Sequence, residues 1–453
     1  MTLWGGRFDE EPADVLWRFT VDGTDRRLLV DDIEGSLAHA AMLHRVRLLT
    51  DEEHEAIHAG LLRLLADAHD GTFEFVESDE DVHTAVERGL VGLVGEPGRK
   101  LHTGRSRNDQ AALDLRLYLR RAAAARAADL SRFGSTLVEL AARNADVVVP
   151  SYTHLQQAQA VPLGHHLLAY AWMALRDRER FQQVAARLGV SPLGAGASGG
   201  SSLPLDPIES ARRLGLDVVF ANSLDAVGAR DLVAEYVWCC AQTMVDLSRL
   251  SEELVFWAST EFGWVTFADA LTTGSSALPH KKNPDIAELA RGKAAGVIGN
   301  LTALLALQKG LPLAYNRDLQ EDKAQAFAAD DTLAATLEAL TALLGSAEFH
   351  PPAPSSWTTA LDLAEALVLR GVPFRDAHEA VGRLVGRLVA TGRDLATATA
   401  ADLEAADPRF EPVDLGLVDP RSSVERRATL GGGSFSSLAD QIRVLETWFT
   451  ERP

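Results

Sequence analysis

Long stretches with helical periodicity and few helix breakers are the feature of this 453-residue sequence that most constrains its fold. An alanine-rich run extends from Asp109 to about Asn144, and continuous strand patterns are almost absent. Helices of roughly 25 to 35 residues exceed the usual globular length and are typical of helical bundles. The sequence therefore predicts an all-α fold around a central long-helix bundle. Its other long helices are expected at Gly164 to Leu188, Asp231 to Thr260, Pro284 to Lys309 and Ala324 to Leu344.

Linker composition predicts three helical domains. The proline-rich stretch His350–Ser356 is the clearest linker, and residues 98–106 form a weaker boundary. We therefore predict an N-terminal helical domain over residues 1–105, a central long-helix bundle over 106–352 and a C-terminal helical domain over 353–453. In the first domain, Thr50 to Glu53 has the form of a capping box. Only residues 73–76 and 147–149 have the pattern of short extended pieces.

Composition narrows the class of protein. Lys and Arg number 44 against 64 Asp and Glu, a formal net charge of −20 that argues against nucleic acid or anionic membranes as partners. Cys239 and Cys240 are adjacent in an apolar segment, which predicts buried thiols in a reducing compartment. The N-terminal sequence lacks the pattern of a signal peptide, and no run of about 18 apolar residues occurs. We therefore expect a cytoplasmic protein.

Two short motifs resemble cofactor sites without their context. The segment His54–His58 matches the HExxH zinc pattern, but no third ligand follows it. The segment Gly194–Gly199 has the form GxGxxG, but we expect neither a strand before it nor a helix after it. We interpret the histidines as the margin of an apolar helix face and the glycines as a flexible loop.

The segment Thr273–Asp285, with the sequence TGSSALPHKKNPD, predicts an anion site. Its glycine and two serines form a polar loop, and Lys281 and Lys282 add two cations. Asn283 followed by proline predicts a helix N-cap, whose positive dipole end favours an anion, most simply a carboxylate. A second set of donors, Arg107 and Asn108, opens the longest predicted helix, and we assign it to substrate carboxylates.

This segment and several others resemble the fumarase and aspartase superfamily, and the paired lysines are most similar to the argininosuccinate lyase family. The matching segments are Leu3–Phe8, Glu80–His83, Leu101–Gln110, Tyr152–Gln156, Asn222–Asp225, Arg230–Asp231, Thr273–Asp285 and Pro312–Lys323. The resemblance implies β-elimination of argininosuccinate to arginine and fumarate through an aci-carboxylate intermediate, in arginine biosynthesis. It also implies a homotetramer whose active sites each combine three subunits.

The resemblance implies roles for individual residues. Ser275 is the expected base, although the residue types alone leave Ser276 open. His154 is expected to pair with Glu288 and to handle a proton near the leaving group, while Lys281 and Asn283 suit stabilisation of the intermediate. No metal or organic cofactor is expected, because the substrate carboxylate is itself the electron sink. The expected substrate-binding residues are Arg107, Asn108, Thr153, Asn283, Tyr315, Gln320, Lys323, Arg230 and Asp25.

Departures from the family pattern leave open which amine the reaction releases. Val21 stands where the family usually carries a serine four residues before Asp25. His280 and Leu278 replace the usual glutamine and methionine of the signature. A related carbon–nitrogen lyase that releases fumarate from another N-succinyl amine is therefore an alternative, and a non-catalytic, crystallin-like structural protein is a more remote one.

Overall fold

The structure, a computed structural model, describes residues 13–450. The segment Leu3–Phe8, which is part of the family resemblance, lies outside the described residues. Sixteen α-helices account for most of the described chain, which confirms the all-α fold. They are α1 (Asp14–Thr20), α2 (Leu29–Arg45), α3 (Asp51–His69), α4 (Val82–Val94), α5 (Arg107–Arg143), α6 (Leu163–Arg187), α7 (Pro207–Arg213), α8 (Ser223–Gly228), α9 (Asp231–Ala258), α10 (Asp285–Gln308), α11 (Asp322–Gly345), α12 (Ala360–Leu369), α13 (Phe374–Ala390), α14 (Ala400–Ala406), α15 (Pro420–Arg426) and α16 (Phe435–Thr450).

The five predicted long helices are confirmed. They are α5, α6, α9, α10 and α11, which have 37, 25, 28, 24 and 24 residues. Each begins and ends within two residues of the bounds that periodicity predicts. No helix within residues 13–450 is long and apolar enough to cross a membrane.

Strands are short and occur in pairs. They are β1 (Val148–Thr153), β2 (Gln156–Pro162), β3 (Val190–Ser191), β4 (Val218–Val219), β5 (Val265–Thr266) and β6 (Glu348–Phe349). The pairs β1–β2 and β5–β6 are antiparallel, and β3–β4 is parallel. The extended pattern at residues 147–149 is confirmed by β1. Residues 73–76 form neither a helix nor a strand, and Phe73 and Phe75 pack against a helical core.

The chain divides into two compact units, and the three-domain division stays a prediction. Unit 1 comprises the described part of Met1–Ala127 with Glu179–Gln242 and Ala294–Leu333. One of its apolar cores joins α2, α3 and α4 through side chains such as Ile33, Ile57 and Leu90. The predicted capping box that starts α3 is confirmed. Cys239 and Cys240 are buried in this unit and form no disulfide, as predicted.

Unit 2 comprises Ala128–Arg178, Thr243–Lys293 and the described part of Ala334–Pro453. One apolar core joins α12, α13 and α14 through side chains such as Leu363, Leu384 and Leu403. The predicted linker after β6 has no helix or strand until a 3-10 turn begins at Ser356. This unit also contains the β1–β2 hairpin and the loop that precedes α10.

The two motifs that resemble cofactor sites are ordinary parts of unit 1. His54 stacks on His44 with ring centroids 4.4 Å apart, and His58 is exposed on the next turn of α3. Within the described chain, no third metal-ligating side chain completes a site with this pair. The expectation that no strand precedes the glycine-rich loop is wrong, because β3 ends at Ser191. The loop does not open a helix, however, since α7 begins only at Pro207.

Candidate active site

One open cavity of about 990 Å³ in unit 1 brings together six of the nine predicted substrate-binding residues. Two of them stand at the first turn of α5, and the others lie on a 3-10 turn at Thr24–Leu28 and on the segment that leads through the 3-10 turn Arg317–Glu321 into α11. The six are Asp25, Arg107, Asn108, Tyr315, Gln320 and Lys323.

The cations of this cavity are paired within the chain. Arg107 donates to the carboxylate of Asp81 and, at 2.9 Å, to the hydroxyl of Thr84. The Nζ atom of Lys323 lies 3.1 Å from a carboxylate oxygen of Asp322. Salt bridges fix the position of a cation, so these groups are held in place before a ligand arrives.

Hydrogen bonds also join residues of the cavity to the end of α1. The side chains of Arg317 and Gln320 both donate to the carbonyl oxygen of Thr20, each at 3.0 Å. Arg317 also lies 3.4 Å from the carboxylate of Glu80. Val21, the departure noted in the sequence, follows directly and ends the helix by donating its N–H to Trp17.

The glycine-rich loop is tied to the start of α5. The buried carboxylate of Asp109 accepts hydrogen bonds from the N–H groups of Gly194 at 3.0 Å and Gly196 at 2.9 Å. The amide of Asn108 donates to the carbonyl of Ala197 at 2.9 Å. Gly196 has a φ of 61°, a conformation that favours glycine. The loop thus fixes the orientation of Asn108.

Burial raises the pKa of two groups that line the cavity. Desolvation raises the pKa of Asp25, while His83 and a hydrogen bond from the Val82 N–H act in the opposite direction. Desolvation also raises the pKa of the Tyr315 phenol, although Lys323 acts to lower it. Tyr315 therefore remains a neutral donor at physiological pH.

Arg230 does not line this cavity. Its side chain is 3% exposed, and its guanidinium donates to the carboxylate of Asp322 and to the carbonyls of Val227 and Ala229. Because Asp322 also pairs with Lys323, Arg230 stabilises the start of α11 and does not reach the cavity.

In unit 2, the segment that carries Ser275 is a closed loop. Its two ends are joined by reciprocal backbone hydrogen bonds between Thr273 and Asn283, at 3.2 and 2.8 Å. Inside the loop, the hydroxyl oxygen of Ser275 accepts hydrogen bonds from the N–H groups of Ala277 at 3.3 Å and Leu278 at 3.1 Å. Ser276 is exposed and has no side-chain hydrogen bond in the described structure. Two donors aimed at one oxygen favour its ionised form, which distinguishes the two serines physically.

The two lysines of this loop also differ in their contacts. Lys282 donates to the carbonyl of Phe267 at 2.6 Å and pairs with Asp269 at 2.7 Å. Lys281 is exposed and has no ion pair with any of the residues that the structure describes. Lys281 is therefore the lysine whose charge is available to a ligand.

The predicted capping role of Asn283 is wrong. The helix α10 begins at Asp285, and the carbonyl of Pro284 accepts the hydrogen bond from the Glu288 N–H. The Asn283 amide instead lies 3.4 Å from both the hydroxyl of Thr273 and the carbonyl of Gly274. Its side chain therefore stabilises the neck of the loop, close to Ser275 in sequence.

His154 lies at the turn of the β1–β2 hairpin. Thr153 pairs with Gln156 at the end of the hairpin, so His154 and Leu155 form a two-residue turn. Both have positive φ, 54° and 58°, which is uncommon for residues other than glycine. Thr153, His154 and Leu155 are all exposed. A strained turn that presents a histidine is typical of a functional position.

The predicted catalytic residues do not meet within the chain. Glu288 is exposed in the first turn of α10, where its charge acts to raise the pKa of Arg291. No hydrogen bond or ion pair in the described part of the chain joins His154 to Glu288 or to Ser275. The chain therefore contains the parts of the predicted catalytic set without assembling them.

Sequence reasoning gave no role to several residues of the unit 1 cavity. These are Asp22, Glu80, Asp81, His83 and Arg317. The sequence did contain a signal, because Glu80–His83 is one of the segments that resemble the family, and it places a histidine two residues after a pair of acids.

Two family models match the chain. One, described as lyase, covers residues 6–299, and another, described as argininosuccinate lyase C-terminal, covers residues 357–425. The argininosuccinate lyase of Frankia casuarinae is 48% identical over 451 residues, which cover 98% of this chain and 97% of the relative. The chain belongs to the argininosuccinate lyase family. The argininosuccinate lyase of Bacillus velezensis is 42% identical, with 97% of each chain covered.

Solved structures agree with this assignment to a family of carbon–nitrogen lyases. An EDDS lyase in complex with formate matches with a TM-score of 0.82 and 26% identity, covering 96% of this chain and 88% of that one. A fumarate lyase from Mesorhizobium matches with a TM-score of 0.74 at 19% identity, a likeness that shows the fold alone. The predicted superfamily, fold class and enzyme class are thus confirmed.

Proposed function

We propose that this member of the argininosuccinate lyase family cleaves argininosuccinate to arginine and fumarate, as a cytoplasmic enzyme of arginine biosynthesis. The observation that carries the proposal is the similarity to argininosuccinate lyases along almost the whole chain, at 42 to 48% identity. The match to the EDDS lyase is much lower, at 26%.

The base in this proposal is Ser275. Removal of the Cβ proton requires an alkoxide or a strongly activated hydroxyl, and a free serine is too weak an acid. The two backbone N–H groups on the Ser275 oxygen favour the ionised form, and the charge of Lys281, which belongs to the same closed loop, acts in the same direction. Ser276 has neither backbone donor.

The intermediate that follows carries extra negative charge on a carboxylate. Lys281 has no ion pair with the described residues, and donors aimed at developing charge contribute the largest rate effects, roughly several kcal/mol. Collapse of the intermediate breaks the carbon–nitrogen bond, and the leaving nitrogen takes up a proton. We assign the handling of that proton to His154, with Glu288 fixing its tautomer.

The unit 1 cavity supplies the binding groups. Arg107 and Asn108 suit the succinyl carboxylates, and Tyr315, Gln320, Lys323 and Asp25 suit the remainder of the substrate. An acidic and a basic set of side chains in one cavity matches a substrate that carries both carboxylates and a guanidinium group. Thr153 and Asn283 are assigned lesser contacts, and Arg230 a supporting one.

We further propose a homotetramer in which different subunits complete each site. The support is the exposed apolar surface of α10, where Leu289, Ile298 and Leu305 are 59%, 44% and 56% exposed. A helix this apolar, with most of its positions exposed, indicates a surface covered by other copies. The separation of His154 from Glu288 within one chain points the same way.

The deciding experiment follows fumarate absorbance with purified full-length protein. Argininosuccinate should give steady release of fumarate, and a panel of other N-succinyl amines should give much slower release. The Ser275→Ala protein serves as the matched blank. Rapid turnover of another amine with none of argininosuccinate would favour the alternative lyase, to which the valine at position 21 points. Release from no substrate would favour the crystallin-like alternative.

A further inference from the structure

A buried group of three ionisable side chains stands behind the unit 1 cavity. The Nδ1 atom of His83 lies 2.8 Å from Asp32 and 3.4 Å from Asp114. The side chains of His83, Asp32 and Asp114 are 7%, 1% and 0% exposed. His83 is the member that lines the cavity, so the two aspartates can influence a ligand only through it.

The three side chains of this group have more hydrogen-bond acceptors than donors to satisfy them. Both carboxylate oxygens of Asp114 are buried without a hydrogen-bond partner in the described structure, as is one oxygen of Asp32. The other oxygen of Asp32 accepts from Gln110 and from His83. Ionised carboxylates only accept, whereas a protonated one has an O–H to donate. One proton on Asp114 therefore gives the pair a donor and removes an uncompensated buried charge.

The charges of the group favour that arrangement. Burial, reinforced by the charges of Asp32 and Asp31, raises the pKa of Asp114 well above its ordinary value. Burial acts to raise the pKa of Asp32 as well, but the charge and hydrogen bond of His83 outweigh it and lower that pKa. For His83, burial acts to lower the pKa, and Asp32, Asp81 and Asp25 outweigh it and raise it. A neutral Asp114, an ionised Asp32 and a charged His83 make the group neutral as a whole.

We propose that Asp32, backed by a protonated Asp114, holds His83 as an imidazolium that donates its Nε2–H to an anionic group of the ligand in the cavity. Within the described chain, Nε2 has no hydrogen-bond partner, whereas the cavity cations Arg107, Arg317 and Lys323 already face carboxylates. His83 is then a fourth cation, whose counterion lies behind it. Asp32 and Asp114 are positioning residues that act through it.

The proton on Asp114 is the first thing to test, and it does not depend on the proposed function. A protonated carboxyl group has an infrared carbonyl band separate from that of an ionised carboxylate. We expect this band in the full-length wild-type protein at neutral pH, its loss as the pH rises, and its absence in Asp114→Asn. A wild-type spectrum without a protonated carboxyl band at neutral pH would overturn the proposal without any variant.

The charge of His83 is tested by the binding of fumarate, a choice of probe that rests on the proposed function. As the pH rises through the raised pKa of His83, the dissociation constant of fumarate should increase about tenfold or more, because a charged donor is lost. Other ionisable groups surround His83, so the control is His83→Gln, which keeps a donor but does not change charge with pH. Those groups are Asp25, Asp31, Asp32, Asp81, Glu87, His102, Arg105, Arg107 and Asp114.

Two substitutions of Asp114 separate positioning from simple packing. Asp114→Asn keeps a donor toward Asp32 and should leave the fumarate dissociation constant within about threefold of wild type. Asp114→Leu removes that donor and should weaken fumarate about tenfold and shift its pH dependence. Equal dissociation constants and identical pH profiles for these two variants would overturn the positioning role. Binding of fumarate that is independent of pH in wild type would overturn the imidazolium.

Discussion

The residues of the unit 1 cavity and those of the Ser275 loop and the His154 turn are held in different ways. In the cavity, Arg107 and Lys323 each pair with a neighbouring carboxylate, and Asn108 is tied to the glycine-rich loop. In unit 2, Lys281 and His154 are exposed and have no ion pair within the described chain. The binding groups are therefore fixed by one chain, while Lys281 and His154, two of the groups assigned to the chemistry, are not.

This difference has a physical basis. A buried polar group must find its partners within the fold, because leaving it unsatisfied costs free energy. Exposed groups on loops and turns carry no such requirement, and their geometry is completed by a ligand or another subunit. Variants of the two regions should therefore fail differently, with losses of affinity in the cavity and losses of turnover at the loop.

The largest expected effect is that of Ser275→Ala. Loss of the base should lower kcat by about 1000-fold or more while substrate affinity stays nearly unchanged, because the hydroxyl acts on the transition state. Steady-state rates and equilibrium binding of argininosuccinate measure the two parts. Ser276→Ala is the matched control and should keep most of its activity. More than a tenth of wild-type activity in Ser275→Ala, with loss in Ser276→Ala, would reverse the assignment.

The next effect separates the two lysines. Lys281→Ala removes an unpaired charge and should lower kcat by about 100-fold. Lys282→Ala breaks the contacts with Phe267 and Asp269, so it should act mainly on the order of the loop, with a smaller loss of rate. Rates of both variants, with circular dichroism as the folding control, decide this. A larger loss in Lys282→Ala would mean that the structural tie matters more than the free charge.

Sequence predicted the long helices well because a period of 3.6 residues, sustained over many turns, does not fit another structure. It predicted less well where tertiary contacts decide. Residues 73–76 have a strand pattern, yet Phe73 and Phe75 complete a helical core. Asn283 has the form of an N-cap, yet its side chain turns back to Thr273, because the reciprocal hydrogen bonds at the neck of the loop place it there.

The site shows the same division. Family resemblance named six residues of the cavity, but it could not show that Arg107 is already paired, since its partner Asp81 lies in a different segment of the chain. The buried group behind His83 also needs three dimensions, because Asp32, His83 and Asp114 lie on three different helices. The roles given to Ser275, Lys281 and His154 stay predictions.

A smaller effect tests whether the separate parts meet between subunits. His154→Ala and Ser275→Ala proteins, each inactive alone, are dissociated together and allowed to reassemble. If a site draws on different chains, some sites receive both intact residues, and activity should rise about tenfold or more above either parent. Each variant reassembled alone is the control. Normal reassembly without recovered activity would show that one chain supplies both residues of a site.

The smallest effect should separate folding from function. Thr50→Ala removes the capping hydrogen bond that the Glu53 N–H donates at 3.2 Å, and the α3 start should lose about 1 kcal/mol. Because α3 carries none of the predicted site residues, the turnover rate should not change. Urea unfolding at one fixed protein concentration measures the loss, since assembly makes stability depend on concentration.

Thr447→Ala is the matched control, because Thr447 is an exposed residue inside α16, where alanine favours the helix. A drop in rate without a drop in stability would show that the start of α3 affects the cavity indirectly. Thr50 would then belong neither to the binding groups that the chain fixes nor to the exposed catalytic groups.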